Sequence, residues 1–206
     1  MRALKGFIGH WIRLGLVFLV GCTPPPPKHQ TNVCEIFKEY PSWYWSAMDS
    51  QHKWGIPVST QMAIIHQESH FDGHAKPPRE KILWVIPWFR PTSASGYSQA
   101  VDSTWGTYQN ETGNGFSSRS DFDAATDFLG WYLDRAHKRL GIAKNDTYHL
   151  YLAYHEGLGG YARGTYKSKT WLLNVAKKVN SHAEQYHYQL VKCHNELPKK
   201  PWYRFW

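Results

Sequence analysis

The sequence predicts a mainly α-helical fold in a single domain, and three observations carry that expectation. Phe122, Ala125, Phe128, Leu129, Tyr132, Leu133, Ala136 and Leu140 recur at three-to-four-residue spacing, which places them on one face of a helix. Alternating apolar and polar runs, the mark of a half-buried strand, are scarce. The chain has 206 residues, and even without its first 21 it is long enough to bury one core.

Each element has its own local reason. Residues 42–53 form a short aromatic helix with Trp43, Trp45 and Met48. Gly55-Ile56-Pro57-Val58 punctuates it, and Ser59 is placed to cap a helix over 60–69. A brief helix over 99–108 closes in the turn cluster Thr112-Gly113-Asn114-Gly115. Ser120 opens the patterned helix described above, and Gly141 ends it. Asn145 or Asp146 caps a further helix through Tyr154, which Gly157, Gly159 and Gly160 stop. Residues 169–193 form a long last helix. Between 76 and 92 the pattern is irregular, with Pro77, Pro78, Pro87 and Pro91 set among Trp84, Trp88 and Phe89.

The N-terminus reads as an export leader over residues 1–21. Arg2 and Lys5 supply positive charge, and residues 14–20 are an unbroken apolar run. His10 and Arg13 interrupt the stretch before it, so no segment reaches the ~18 apolar residues of a membrane span. Leu19-Val20-Gly21-Cys22 resembles the lipobox of bacterial lipoproteins. That resemblance implies a lipidated Cys22 facing the periplasm. Thr23 stands where some lipoproteins carry an inner-membrane Asp, which favours an outer-membrane address. Residues 22–32, with prolines at 24–27, read as lipidated Cys and semi-rigid tether, extending about 3.1 Å per residue. The domain proper is then 33–206.

Formal net charge is +8, and the leader's Arg2, Lys5 and Arg13 account for three of it. A basic surface favours anionic partners such as cell-wall polymer or phospholipid. Nucleic acid does not suit an exported lipoprotein. Cys34 and Cys193 are the even pair left once Cys22 is assigned, and an oxidising compartment favours their bridging. Closing so long a loop contributes up to about 5 kcal/mol on the chain-entropy model.

Three stretches carry the chemistry. The first is Ala63-Ile64-Ile65-His66-Gln67-Glu68-Ser69, at the tail of a helix-spaced apolar run. Gly96-Tyr97-Ser98-Gln99-Ala100 follows, and then Ala153-Tyr154-His155-Glu156-Gly157. In that order, over about residues 54–165, they resemble the SLT-domain lytic transglycosylases of the lysozyme-like superfamily. Those enzymes carry a Glu-Ser pair, a Gly-x-x-Gln loop and an Ala-Tyr-Asn-x-Gly stretch. The resemblance implies a goose-type-lysozyme-like fold, peptidoglycan glycan strands as substrate, and no cofactor or metal.

Glycosidic cleavage needs a carboxylic acid that is still protonated near neutral pH. Glu68 is suited to this, because it ends a helix and has Ile64, Ile65 and Phe71 around it. By the resemblance Glu68 acts as acid and then as base, giving a 1,6-anhydro end without water. Ser69 would orient Glu68 or the sugar. Gly96, Tyr97, Ser98 and Gln99 would hold substrate, and Tyr154 would hydrogen-bond Glu68. His155 stands where the family has Asn, and Glu156 adds a carboxylate with no role in the pattern. Tyr97-Ser98 replaces a more apolar pair. In the 76–92 insert, aromatics would stack on sugars and Lys76, Arg79, Lys81 and Arg90 would meet stem-peptide carboxylates, unless they pack on the domain or a membrane.

Two other readings share these residues. A goose-type lysozyme would hydrolyse the same bond, and a non-catalytic lipoprotein would only bind the wall. Zinc fits poorly: His66 and His70 share a face, but Glu68 lies two residues after His66, whereas metalloprotease helices put the Glu directly after the first His.

Overall fold

The computed structural model describes residues 23–77, 81–82, 86–87 and 92–202. The leader, Cys22 and the insert residues Pro78, Arg79, Trp84, Trp88, Phe89, Arg90 and Pro91 lie outside them, as do the side chains of Lys81 and Pro87. The described residues form seven helices: α1 Val33–Glu39, α2 Pro41–Trp54, α3 Val58–Ser69, α4 Asp102–Thr112, α5 Phe122–Leu140, α6 Thr147–Ala162 and α7 Thr170–Lys192. Within the insert, β1 (Lys81–Ile82) pairs antiparallel with β2 (Ile86–Pro87). The mainly α, lysozyme-like class stands.

Several boundaries moved, each for a local reason. α1 was not foreseen; Asn32 caps it, accepting from Cys34 N at 3.1 Å and Glu35 N at 3.3 Å, and Val33, Ile36 and Phe37 bury its inner face. Pro57, not Ser59, precedes α3, and Ser59 is buried inside the helix. α4 begins at Asp102, because Gln99 takes a left-handed φ of 51° and Ala100 bridges back to Ser95. Asp146 caps α6 by accepting from His149 N at 3.1 Å. The glycines after Tyr154 kink α6 without stopping it: Gly157 sits at φ 73°, ψ 156°, and helix resumes to Ala162.

α5 packs against α2 on one side and α6 on another, while α7 crosses α3 and α6 and reaches α1. At the α2–α5 seam Trp43 stacks on Phe122 with centroids 4.0 Å apart and planes 2° apart. Such pairs add roughly 0.5–1.5 kcal/mol beyond the area they bury. Ser50 Oγ donates to the Thr126 carbonyl at 2.7 Å, which satisfies both groups in that seam. Cys34 and Cys193 are bonded, with Cα atoms 6.4 Å apart, tying α1 to the end of α7.

Residues 23–32 differ from the expected free spacer. They lie along the domain. Tyr40 donates its hydroxyl to the Pro25 carbonyl at 2.9 Å, and Tyr186 donates to the Gln30 carbonyl. Gln185 and Gln189 donate to the Thr31 carbonyl at 3.2 and 3.1 Å. Pro27 is buried. An extended proline-rich chain leaves its carbonyls unpaired, so side-chain donors on the domain can hold it down. No helix among the described residues is long and apolar enough to cross a membrane.

Candidate active site

Glu68 stands in the last turn of α3, and the chain reverses sharply just after it. His70 and Phe71 adopt φ of 51° and 62°, a left-handed pair without glycine. Each such residue costs on the order of 1–3 kcal/mol and persists only where its surroundings hold it. Phe71 is held by complete burial, 5.9 Å from Trp43 between ring centroids. Gln99 is the only other non-glycine residue with positive φ among those described. All three therefore lie in the two loops that border Glu68.

One carbonyl joins these loops. Ala75 O accepts from Gly96 N at 3.0 Å and from Gln99 Nε2 at 3.0 Å. Gln99 Nε2 also donates to Gly96 O at 2.8 Å, so the amide nitrogen is engaged with backbone. Gly96 has φ 76°, and a Cβ there would lie 2.0 Å from the Arg119 carbonyl. Only glycine fits.

The cleft beside them has a volume of about 500 Å³. Glu68, Gln99, Tyr154, His155, Glu156 and Gly157 line it, with Phe128 and Tyr132 from α5 as an aromatic wall. Pro77 and Thr92, the two ends of the insert, sit at its edge. Burial raises the Glu68 carboxyl to about 7, against a smaller lowering by a hydrogen bond from the Tyr151 hydroxyl. Glu68 is therefore substantially protonated at neutral pH.

Glu156 is the opposite case. Its side chain is 4 % exposed, and Lys169 Nζ reaches its two oxygens at 2.7 and 2.9 Å. The Thr165 hydroxyl donates to it as well, and His155 Nδ1 lies 3.3 Å away. Lys169 first, then Thr165, hold this carboxyl below its ordinary value. Two carboxyl groups in one cleft are thus driven apart, one toward the acid and one toward the anion.

Several sequence expectations need correction. Tyr154 donates to the Ser98 carbonyl at 2.5 Å, and the hydroxyl on Glu68 belongs to Tyr151, one turn earlier on α6. Ser69 is buried and donates to the Ile65 carbonyl at 3.1 Å, four residues back in its own helix, so it does not face the cleft. Tyr97 is wholly buried, edge-on to Trp43 and Phe122 at 5.5 and 5.3 Å. Ser98 is wholly buried too, and it serves through its carbonyl. Gly96 shapes the loop from behind. Of the expected binding residues, Gln99, Tyr154, His155 and Glu156 reach the cleft.

Tyr151 was missed, although the tyrosines at 148, 151 and 154 show a one-turn spacing that offered it as readily as Tyr154. Phe128 and Tyr132 were read only as core. Lys169 and Thr165, the partners of Glu156, carry no local signal. Among the described residues no group of three or more His, Cys, Asp or Glu could hold a metal ion.

A family model described as the transglycosylase SLT domain matches residues 11–193. The chain belongs to that family. Comparison with curated proteins and with solved structures finds no match. An SLT domain implies a glycosyl-cleaving lyase acting on peptidoglycan. In this SLT domain the left-handed turn, the Gly96 loop and α6 bring one protonated acid to an aromatic-walled cleft.

Proposed function

We propose that this protein is a lytic transglycosylase that cuts the MurNAc–GlcNAc β-1,4 bond of peptidoglycan and leaves 1,6-anhydro-MurNAc ends. The observation that carries this reading is the pairing of a buried, protonatable Glu68 with a Glu156 already engaged by Lys169 and Thr165. A hydrolase with two carboxylates needs the second one free, as nucleophile or to activate water. Glu156 is not free.

In the proposed reaction the Glu68 carboxyl gives its proton to the glycosidic oxygen, and the C1–O bond breaks. The substrate's own N-acetyl group shares the positive charge at C1. Glu68, now a carboxylate, removes the proton from the C6 hydroxyl, whose oxygen closes on C1. The acid is regenerated and no water is consumed. A pKa near 7 suits a group that must do both halves of this work. Phe128 and Tyr132 offer apolar faces to a sugar ring, and Gln99, its amide nitrogen held by backbone, offers the amide oxygen to a sugar hydroxyl or N–H.

Lipidation of Cys22 and a periplasm-facing membrane location complete the proposal, supported by the leader pattern alone. The test is mass spectrometry of purified sacculi digested with residues 23–206 made under oxidising conditions. Muropeptides one water lighter than hydrolysis products, absent with Glu68→Gln, support the reading. Full-mass reducing ends point to a lysozyme, and binding without release to a wall-binding protein.

A further inference from the structure

The arm formed by residues 23–31 runs from α7 to the back of the catalytic loops. At one end, side chains of α7 hold the Gln30 and Thr31 carbonyls. Lys28 N donates to Glu39 Oε2 at 3.1 Å, at the end of α1, and Pro27 is buried. Tyr40 stacks on Trp43 with centroids 4.5 Å apart and donates its hydroxyl to the Pro25 carbonyl at 2.9 Å. At the other end Thr23 and Pro24 meet Trp43 and Tyr97 around a hollow of about 280 Å³. That hollow shares no lining residue with the cleft at Glu68, so the arm lies behind the loops and outside the cleft. Prolines at 24–27 preset the extended backbone, which lowers the entropy cost of docking it.

Thr23 touches both loops that border Glu68. Gly73 is buried in the turn that follows Glu68, and a Cβ there would overlap the Thr23 Cγ2 methyl and lie 2.8 Å from Tyr97 Cε2. Thr23, Gly73 and Tyr97 therefore pack as one layer. Tyr97 belongs to the second loop, and its buried hydroxyl meets no hydrogen-bond partner among the described residues, so packing alone fixes that ring. The next residue, Ser98, supplies the carbonyl to which Tyr154 donates. From Gly73 the first loop runs on to Ala75, whose carbonyl holds Gly96 and Gln99. Displacing Thr23 opens space behind both loops at once, and a close-packed interior fills such space only by moving.

We infer that residues 23–31 are a brace for the two loops that border Glu68, with Thr23 and Tyr40 as positioning residues for glycan cleavage. The inference rests on the reading of Glu68 as the acid. A free spacer has no use for a buried Pro27 or for donors from Tyr40 and Tyr186, whereas a brace needs both. The proline run serves the same end, since an extended proline segment resists bending. Neither Thr23 nor Tyr40 lines the cleft; Thr23 acts through Gly73 and Tyr97, and Tyr40 holds the arm in place. Such support matters because a misplacement of about 1 Å, caused far from the chemistry, can slow a reaction about a hundredfold.

The test compares the full chain, purified in detergent, with the double variant Thr23→Gly, Tyr40→Phe and with Thr23→Val. Phenylalanine keeps the ring on Trp43, and valine keeps a methyl against Gly73. The double variant should lose about tenfold in kcat on sacculi with KM held. The alkaline limb of its pH profile should move to lower pH, because loosened loops admit water to the Glu68 carboxyl. Its amide hydrogen exchange should quicken over 70–75 and 95–99 and stay unchanged in α5. Thr23→Val should match the wild type in all three readouts. Unchanged exchange in those loops overturns the inference, as does faster exchange with kcat and the pH limb unmoved. A lower thermal midpoint with kcat and pH profile intact makes the arm a stabiliser only, which overturns it too. If the wild type releases no sugar, it is the catalytic reading that fails, and the exchange result decides whether the arm braces the loops.

Discussion

The Tyr151 hydroxyl and the Glu68 carboxyl share a hydrogen bond that opposes the effect of burial on the same acid. Burial favours the neutral acid, while the phenol stabilises the carboxylate. Burial prevails, and the carboxyl titrates at about 7. Tyr151→Phe removes the opposing contribution, so the Glu68 pKa should rise further. The alkaline limb of the cleavage–pH profile should then move to higher pH, with the product unchanged. An unshifted limb would show that Tyr151 has only a packing role.

Glu68 should cost stability above neutral pH. Its folded pKa lies above the ordinary 4.5, so the unfolded chain releases this proton first as pH rises. Below pH 4.5 both states are protonated and nothing is lost. Between 4.5 and 7 stability declines, by up to about 3 kcal/mol, and then stays level. Glu68→Gln should therefore be the more stable protein at pH 8 and no more stable at pH 4, as read by chemical denaturation.

His66 should act in the opposite direction. Its Nδ1 lies 3.0 Å from His182 Nδ1 at the α3–α7 seam, with His70 and Lys178 also near. Burial first, then these neighbours, lower its pKa to about 4. As pH falls from 6.5 to 4 the unfolded chain takes up a proton that the folded chain refuses. Stability drops over that window by up to about 3 kcal/mol. Because Glu68 gains stability over nearly the same window, it should offset the His66 contribution in the native protein. The acid slope should steepen in Glu68→Gln and shrink again in Glu68→Gln with His66→Gln, leaving the part due to His182, whose pKa burial and Lys178 also lower.

Glu156→Gln should weaken the protein without changing its chemistry. The substitution keeps an acceptor for Thr165 but leaves Lys169 without its counter-ion, a loss of about 1–3 kcal/mol. Anhydro products should persist at a reduced rate. Complete loss of cleavage in a folded variant would put Glu156 in the reaction itself.

Trp171 is 56 % exposed and stands edge-on to His155, with ring centroids 5.2 Å apart. Its position beside a cleft residue suits stacking on a sugar at the cleft's end. Trp171→Ala should raise KM several-fold, about 0.5–1.5 kcal/mol of lost stacking, with kcat held. A fall in kcat at constant KM would contradict this.

What the sequence made legible was whatever a local pattern encodes. The apolar stripe of α5 specified its helix and burial together, because a 3.6-residue period fixes both. Glu68 was recognisable from its place at a helix end and from the order of the motifs. The details that failed were those decided across the fold. Whether Tyr151 or Tyr154 meets Glu68 depends on how α6 is rotated against α3, and both tyrosines look alike in sequence. Tyr97 reads as a loop contact until Trp43 and Phe122 are placed around it. Lys169 finds Glu156 only because the chain turns through residues 165–168 before α7.

The bond between Cys34 and Cys193 has a temporal meaning. It unites the first helix of the domain with the residue that follows the last, and α7 also supplies the surface on which α3 packs. A chain that emerges N-terminus first therefore cannot complete the interior of this domain, or close this bond, until residues through Cys193 are out. Premature termination anywhere in α7 should yield no enzyme at all rather than a weakened one. The helix carrying Glu68 therefore gains its full packing only once α7 has been made.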